Sequence, residues 1–221
     1  MDKAKHDALM DQLANAVLEG RKKDARKLAQ EAIDAGVSPL DAFDQGLIKG
    51  IKAVEDGFVK GTLFLPELVS GGEAMKAGLE VLEEEIKRQG MDRPVVATVL
   101  IGTVKTDIHD IGKNIVASVM AANGFDVIDI GVDVPPEKFA EKIRELKPDV
   151  LALSALLTTS IQYVKATVDT VKEAGLRDGL LIIAGGAALN DDYARKAGCD
   201  FFGQDAIDGV RKLLDALGGE A

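Results

Sequence analysis

Cysteine is almost absent from this chain: Cys199 is the only one in 221 residues. No intrachain disulfide or cysteine-built metal cluster can form, and the thiol reads as a small buried hydrophobe beside the strand around Phe201 and Phe202. Long apolar runs are missing too. No stretch approaches the roughly 18 residues needed to cross a bilayer, and Met1-Asp2-Lys3-Ala4-Lys5-His6 leads into no signal-like apolar core. A cytoplasmic location without a membrane partner is the expectation. Basic residues are in deficit, with 27 Lys and Arg against 37 Asp and Glu and a net charge of −10. Such a surface repels phosphate backbones and anionic lipid, which argues against nucleic acid as a partner. Only two histidines occur. His6 falls in a polar helical turn near the amino terminus and is expected to be exposed and inert, which leaves His109.

What remains is a composition of 47% hydrophobic and 29% charged residues, that of a soluble globular protein with a sizeable core and one or two domains. Up to about residue 90 the apolar periodicity is helical. Leu9, Leu13, Ala16 and Val17 form one stripe closed by Gly20. Ala25, Leu28, Ala29, Ala32 and Ile33 form a second closed by Gly36. Ser38-Pro39-Leu40-Asp41 reads as a helix start, with Ser38 as N-cap and Pro39 at the first helical position. This third helix turns Phe43, Leu47, Ile51, Val54 and Phe58 inward. A fourth follows Leu63-Phe64-Leu65-Pro66-Glu67 and carries Leu68, Met75, Leu79, Leu82 and Ile86. Four amphipathic helices with short turns predict an antiparallel bundle. Gly46, Gly50, Gly57, Gly61, Gly71, Gly72 and Gly78 crowd the last two helices, where an interior glycine costs up to ~1 kcal/mol against alanine. They imply close helix approach or a broad object against that face, and Phe58, Leu65 and Leu68 around the interruption could form an apolar lid.

The charged run Glu83 to Arg88, followed by Gly90 and Pro94, reads as a linker, with domains expected over 1–91 and 92–221. Beyond it the pattern alternates. Strands are expected at 95–101, 125–130, 149–154, 180–184 and 200–203, and helices at 111–123, 136–146, 160–174, 191–197 and 205–217. Five strands alternating with five helices predict an α/β fold, a doubly wound parallel sheet of flavodoxin-like order. In such sheets ligands sit at the carboxyl ends of the strands. The first loop there is Asp107-Ile108-His109-Asp110-Ile111-Gly112-Lys113-Asn114. A carboxylate two residues from an imidazole can fix its tautomer and raise its basicity; a loop histidine that merely caps the next helix is the plainer reading. No G-x-G-x-x-G, G-x-x-x-x-G-K-[ST] or G-x-S-x-G occurs, and the third strand ends in Ser154 where a phosphoacceptor domain would want an aspartate. The other loops are small and hydroxylic: Ser154-Ala155-Leu156-Leu157-Thr158-Thr159-Ser160, and Ala184-Gly185-Gly186-Ala187-Ala188. Small residues leave a slot suited to a flat heteroaromatic group on a phosphoribosyl linker, with one imidazole at its mouth as an axial metal ligand.

Asp107-x-His109-x-x-Gly112, the Ser154-x-Leu156 step and Gly185-Gly186 together resemble the three-part signature of cobalamin-binding domains. The segments Thr106–Val116 and Gly131-Val132-Asp133-Val134-Pro135 look like the methyltransferase branch. Phe58, Gly61-Thr62-Leu63-Phe64-Leu65-Pro66-Glu67-Leu68 and Glu73-Ala74-Met75-Lys76 are similar to the cap bundle of methionine synthase and of free-standing corrinoid methyl carriers. The resemblance spans nearly the whole chain. It implies a cobalamin or related cobamide bound base-off/His-on, with His109 as the axial cobalt ligand, Asp107 accepting its other N–H and Ser160 completing a proton relay. It implies a nucleotide-tail pocket lined by Gly112, Ser154, Leu156, Thr158, Gly185 and Gly186, and an upper face covered by Phe58, Leu65 and Leu68.

The implied activity is methyl carriage, cycling Co(I) and methyl-Co(III), as a subunit rather than a stand-alone enzyme. The implied partners are a substrate:corrinoid methyltransferase for methylamines, methanol, O-methyl compounds or betaines, a second methyltransferase acting on tetrahydrofolate or a thiol, and a reductive activase. A cobalamin-dependent sensor shares the two-domain plan but needs an output element such as a basic helix-turn-helix, for which an acidic chain of this length leaves no room. A radical mutase subunit would not need the apolar lid.

Overall fold

The structure, a computed structural model, describes residues 3–91 and 95–218. The chain divides into two compact units, Met1–Pro94 and Val95–Ala221. The end of the expected linker, Asp92-Arg93-Pro94, lies outside the described residues.

The first unit is helical: α1 (Lys3–Leu18), α2 (Lys22–Asp34), α3 (Pro39–Asp41), a π-helical segment (Ala42–Ile48), α4 (Lys49–Val59) and α5 (Leu65–Arg88). The stretch expected as one α-helix is thus widened in its middle. Phe43, Leu47 and Ile51 recur every four residues, a spacing that drifts by about 40° per step on a helix of 3.6 residues per turn. The wider π turn takes up that drift, and all three are buried. Ser38 occupies the N-cap position, but its hydroxyl makes no cap bond; its carbonyl accepts the Ala42 N–H at 3.0 Å. At the start of α5, Glu67 Oε2 accepts the Phe64 N–H at 2.9 Å. His6 is half-buried beside Asp7 rather than exposed.

Gly46, Gly50, Gly71 and Gly78 serve helix approach, whereas a Cβ at Gly61 would meet nothing. A Cβ at Gly50 would stand 2.5 Å from the Ala14 carbonyl oxygen and 2.7 Å from Val17 Cβ, and one at Gly78 would stand 2.7 Å from Leu47 Cδ2. The expected lid also needs correction. Leu68 is 3% exposed and belongs to the core of this unit, because it falls on the same face of α5 as Met75, Leu82 and Ile86. Phe58 is half-buried, and the exposed apolar side chains of the α4–α5 turn are Val59, Phe64 and Leu65.

The second unit alternates β1 (Thr98–Thr103), α6 (Ile111–Ala122), β2 (Asp126–Asp129), α7 (Pro136–Leu146), β3 (Val150–Ser154), α8 (Gln162–Glu173), β4 (Leu181–Gly185), α9 (Asp191–Ala197), β5 (Phe201–Gly203) and α10 (Ala206–Leu217). The sheet is parallel in the order β2-β1-β3-β4-β5, the expected flavodoxin-like arrangement. Strand β1 is displaced from its expected span of 95–101. Val95 and Val96 are exposed, and pairing with β2 starts at Thr98. At the other end β1 runs past 101 through Gly102, which pairs with Leu153 and has to be glycine because a Cβ there would lie 2.9 Å from the ring of Phe139. Cys199 is buried, and burial pushes its thiol up to about 12.

Strand register sets where the loops begin. Thr103 pairs with Ser154, Ser154 with Gly185, and Gly185 with Gly203. The carboxyl ends of β1, β3, β4 and β5 therefore finish level, and their loops leave from one edge.

Replacing Gly50 by valine forces a branched side chain into the Ala14 backbone. Overpacking of this kind costs about 1–3 kcal/mol, so Gly50→Val should lower the urea midpoint followed by helical circular dichroism. Gly36→Asn, where no atom lies near a Cβ and only the left-handed φ of +77° opposes a side chain, should lower it less, since asparagine tolerates that backbone.

Candidate functional site at the carboxyl edge of the sheet

The loop between β1 and α6 places Asp107 inward and His109 outward. Asp107 is fully buried, whereas the His109 side chain is 47% exposed. Asp107 Oδ1 lies 2.7 Å from His109 Nδ1 and accepts the His109 backbone N–H at 3.1 Å. Its Oδ2 accepts the backbone N–H groups of Leu156 at 2.7 Å and Leu157 at 3.1 Å, and the Ser160 hydroxyl at 2.9 Å. A carboxylate only accepts, so the proton of the ring sits on Nδ1 and the lone pair stays on Nε2. Burial opposes ionisation of Asp107, but the His109 ring, the Leu156 and His109 N–H groups and the Ser160 hydroxyl outweigh it and hold this carboxyl well below the ordinary range. Thr103 anchors the same loop by donating its hydroxyl to the His109 carbonyl at 2.9 Å.

The fold brings Asp107, His109 and Ser160 together as expected, although Ser160 lies 53 residues beyond Asp107 in the chain. Ser154 is buried at the end of β3, and Thr158 is exposed in the following loop. Leu156 contributes its backbone N–H to Asp107. The three glycines have different reasons to be glycine. A Cβ at Gly112 would meet no atom within 4 Å, so open space lies in front of it; one at Gly185 would lie 3.1 Å from the Gly203 carbonyl oxygen. Gly186 has φ +128°, and a Cβ there would stand 2.1 Å from the Ala155 carbonyl oxygen. That backbone requires glycine whatever occupies the slot.

Several participants escape the sequence reading. The Leu157 N–H and the Thr103 hydroxyl act only through the fold. Lys113 is buried in the first turn of α6, where its ammonium pairs with Asp129 at the end of β2 and donates to Asn114 Oδ1 at 2.8 Å. Ile108 and Ile111 are each 74% exposed on either side of the His109-Asp110 pair. Isoleucines with nothing local to bury them, in a loop that ends at a helix start, are a signal readable in sequence as an apolar rim awaiting a partner.

Among the described residues no group of three or more His, Cys, Asp or Glu side chains gathers to hold a metal ion. His109 offers one ring nitrogen, the single side-chain contact that a metal complex carrying its own other ligands would need. The residues fit such a group: one imidazole with a free Nε2, a buried acid that fixes its tautomer, an apolar rim and open space before Gly112. No described helix is long and apolar enough to cross a membrane.

Because the Asp107 carboxyl is held ionised in the fold, its stabilising effect is complete above the ordinary carboxylate range and fades as the unfolded chain takes up the proton below about pH 4. Asp107→Asn should lower the urea midpoint at pH 7, and the gap to the unaltered protein should narrow at pH 3.

Comparison with known proteins agrees with this arrangement. One family described as a B12 binding domain matches residues 97–210, and a second of the same description matches residues 9–83. Trimethylamine corrinoid protein 2 of Methanosarcina mazei is 42% identical over 203 residues, covering 92% of this chain and 93% of the relative. A corrinoid protein of Desulfitobacterium hafniense is 37% identical over 212 residues, covering 96% and 98%. Among solved structures, the methanol:cobalamin methyltransferase complex MtaBC from Methanosarcina barkeri matches at a TM-score of 0.87 and 32% identity, covering 97% of this chain and 81% of that one. A cobalamin-binding protein from Desulfitobacterium hafniense DCB-2 matches at 0.69 and 30% identity, covering 94% and 98%. With a helical unit and a sheet unit each matching a B12 binding domain, and with relatives at this identity along nearly its full length, the chain belongs to the corrinoid protein family.

Proposed function

We propose that this protein is the methyl-carrying corrinoid subunit of a methylamine-type methyltransferase system, with a cobamide bound base-off/His-on. One geometric fact supports this above all: the His109 ring gives Nδ1 to the buried Asp107 at 2.7 Å and keeps Nε2 for a metal. A cobamide, when bound, supplies a cobalt centre that takes up a methyl group and gives it back. His109 would hold that cobalt through Nε2. Asp107 keeps the imidazole oriented and basic, as carboxylates do behind metal-bound histidines. Ser160 donates to Asp107 Oδ2 at 2.9 Å and steadies the carboxylate. Asp107, steadied by Ser160, would be the group behind the ring through which a proton relay could run. Gly112, Ser154, Leu156, Thr158, Gly185 and Gly186 would border the nucleotide tail, and Ile108 and Ile111 would meet the apolar edge of the ring system. Phe58 and Leu65 are the residues for the methyl-bearing face, with exposed Phe64 beside them in place of the buried Leu68.

The relatives support a methylamine donor class: trimethylamine corrinoid proteins stand at 38–42% identity and dimethylamine ones at 35%. A methylamine-specific methyltransferase is therefore the proposed donor partner, a second methyltransferase acting on tetrahydrofolate or a thiol the acceptor partner, and a reductive activase the third. Tests with separate methylamine and methanol methyltransferases should show methyl transfer to the cobamide-loaded protein only from the methylamine class; transfer from methanol alone would reverse the assignment.

The axial bond has its own test. In the Co(II) state of protein labelled with 15N-histidine, electron paramagnetic resonance should show the axial nitrogen coupling as a doublet in place of the 14N triplet. His109→Ala should abolish that coupling while circular dichroism stays unchanged. An axial signal indifferent to both the label and the substitution would remove His109 from the metal.

A further inference from the structure

Two residues other than glycine near the site adopt left-handed backbone, Thr106 with φ +66° and Asp133 with φ +53°. For a β-branched residue such as threonine this is an uncommon conformation that persists only where neighbours impose it. Thr106 is the third residue of a four-residue turn closed by the Asp107 N–H on the Val104 carbonyl at 3.2 Å, a position that turns with left-handed backbone there ordinarily give to glycine or asparagine. What imposes it is Asp133, on the loop between β2 and α7. Asp133 Oδ1 accepts the Thr106 N–H at 2.7 Å, and the Asp133 N–H donates to the Asp107 carbonyl at 2.8 Å. One residue thus grips both ends of the Thr106-Asp107 step. Asp133 is itself fixed, because Val134 bridges Val104 and extends the β1–β2 pairing beyond the strands.

We infer that Asp133 is a positioning residue for the His109 ligand: it clamps the Asp107 backbone from the β2 side while the loop after β3 holds the Asp107 carboxylate. The side chain of Asp107 can meet five donors on two oxygens only if its backbone enters at one angle, and the Asp133 clamp sets that angle. A change in the β2–α7 loop would then reach the proposed axial bond through Asp107 without any contact between Asp133 and the ring. The clamp's effect on a metal rests on the axial role proposed for His109, whereas its effect on the ring tautomer does not.

Its test starts without cofactor. In chain labelled with 15N-histidine, the His109 ring should be held in the Nδ1–H tautomer. Asp133→Gly keeps the left-handed backbone and removes the carboxylate, so the ring should lose that single tautomer while the melting curve of the chain stays cooperative. Asp133→Asn retains an acceptor oxygen and should restore the tautomer. Loaded with cobamide, Asp133→Gly should bind about tenfold more weakly and Asp133→Asn within about twofold of the unaltered protein, the scale on which partners behind a metal ligand act. An unchanged tautomer and affinity in Asp133→Gly overturns the clamp, as does an asparagine variant impaired as badly as the glycine one. Should Asp133→Gly fail to fold, hydrogen exchange decides: the Thr106 amide of the unaltered protein must be protected about a hundredfold or more over an open amide, and an unprotected one overturns the inference. His109→Ala in the same binding assay separates the two ideas, since unaltered cobamide affinity there defeats the axial role and leaves the tautomer measurement to judge the clamp.

Discussion

A buried carboxylate, Asp107, is the constraint on which this site depends. An ionised carboxyl out of water is expensive unless its lone pairs are filled, and here five donors fill them, two from its own loop and three from the loop after β3. The two loops cannot move apart without exposing that charge to a poor environment. The Thr103–Ser154 register brings the loops level in the first place. A hydrogen-bonded acid therefore acts as both a structural rivet and the fixed support of the only imidazole at this edge.

Division of labour follows from that arrangement. The described residues assemble no metal cage, and in the reading proposed above a cobamide would bring the rest of the coordination. The chain supplies an oriented ring, small residues that leave room, and an apolar rim in Ile108 and Ile111. Membership of the corrinoid family agrees with this division, and in the proposed function an unenclosed metal would leave one face open to successive partners.

Much of this was legible in the order of residues. Helices α7 and α9 fall where periodicity puts them, because Pro136 and the Asn190 cap mark their starts and Gly198 ends the second. The alternation of strands and helices carried the sheet order, and the family resemblance carried the Asp107-His109-Ser160 contact. The misplaced ends have physical causes. Strand β1 runs past its expected end at 101 because glycine at position 102 leaves space for the ring of Phe139 inside the sheet. Leu68 resembled a lid residue, yet the face it occupies on α5 is settled by packing against neighbours that a linear pattern does not specify.

The sequence by itself determined the residue chemistry and the fold class: which groups can ligate, which can cap, and a net acidic charge. Tertiary structure decided which of those groups meet. Three of the five donors around Asp107 and the grip of Asp133 on Thr106 come from residues far apart in the chain. Hydrogen bonds require separations near 3 Å, and only the parallel register of the sheet delivers distant loops to that distance.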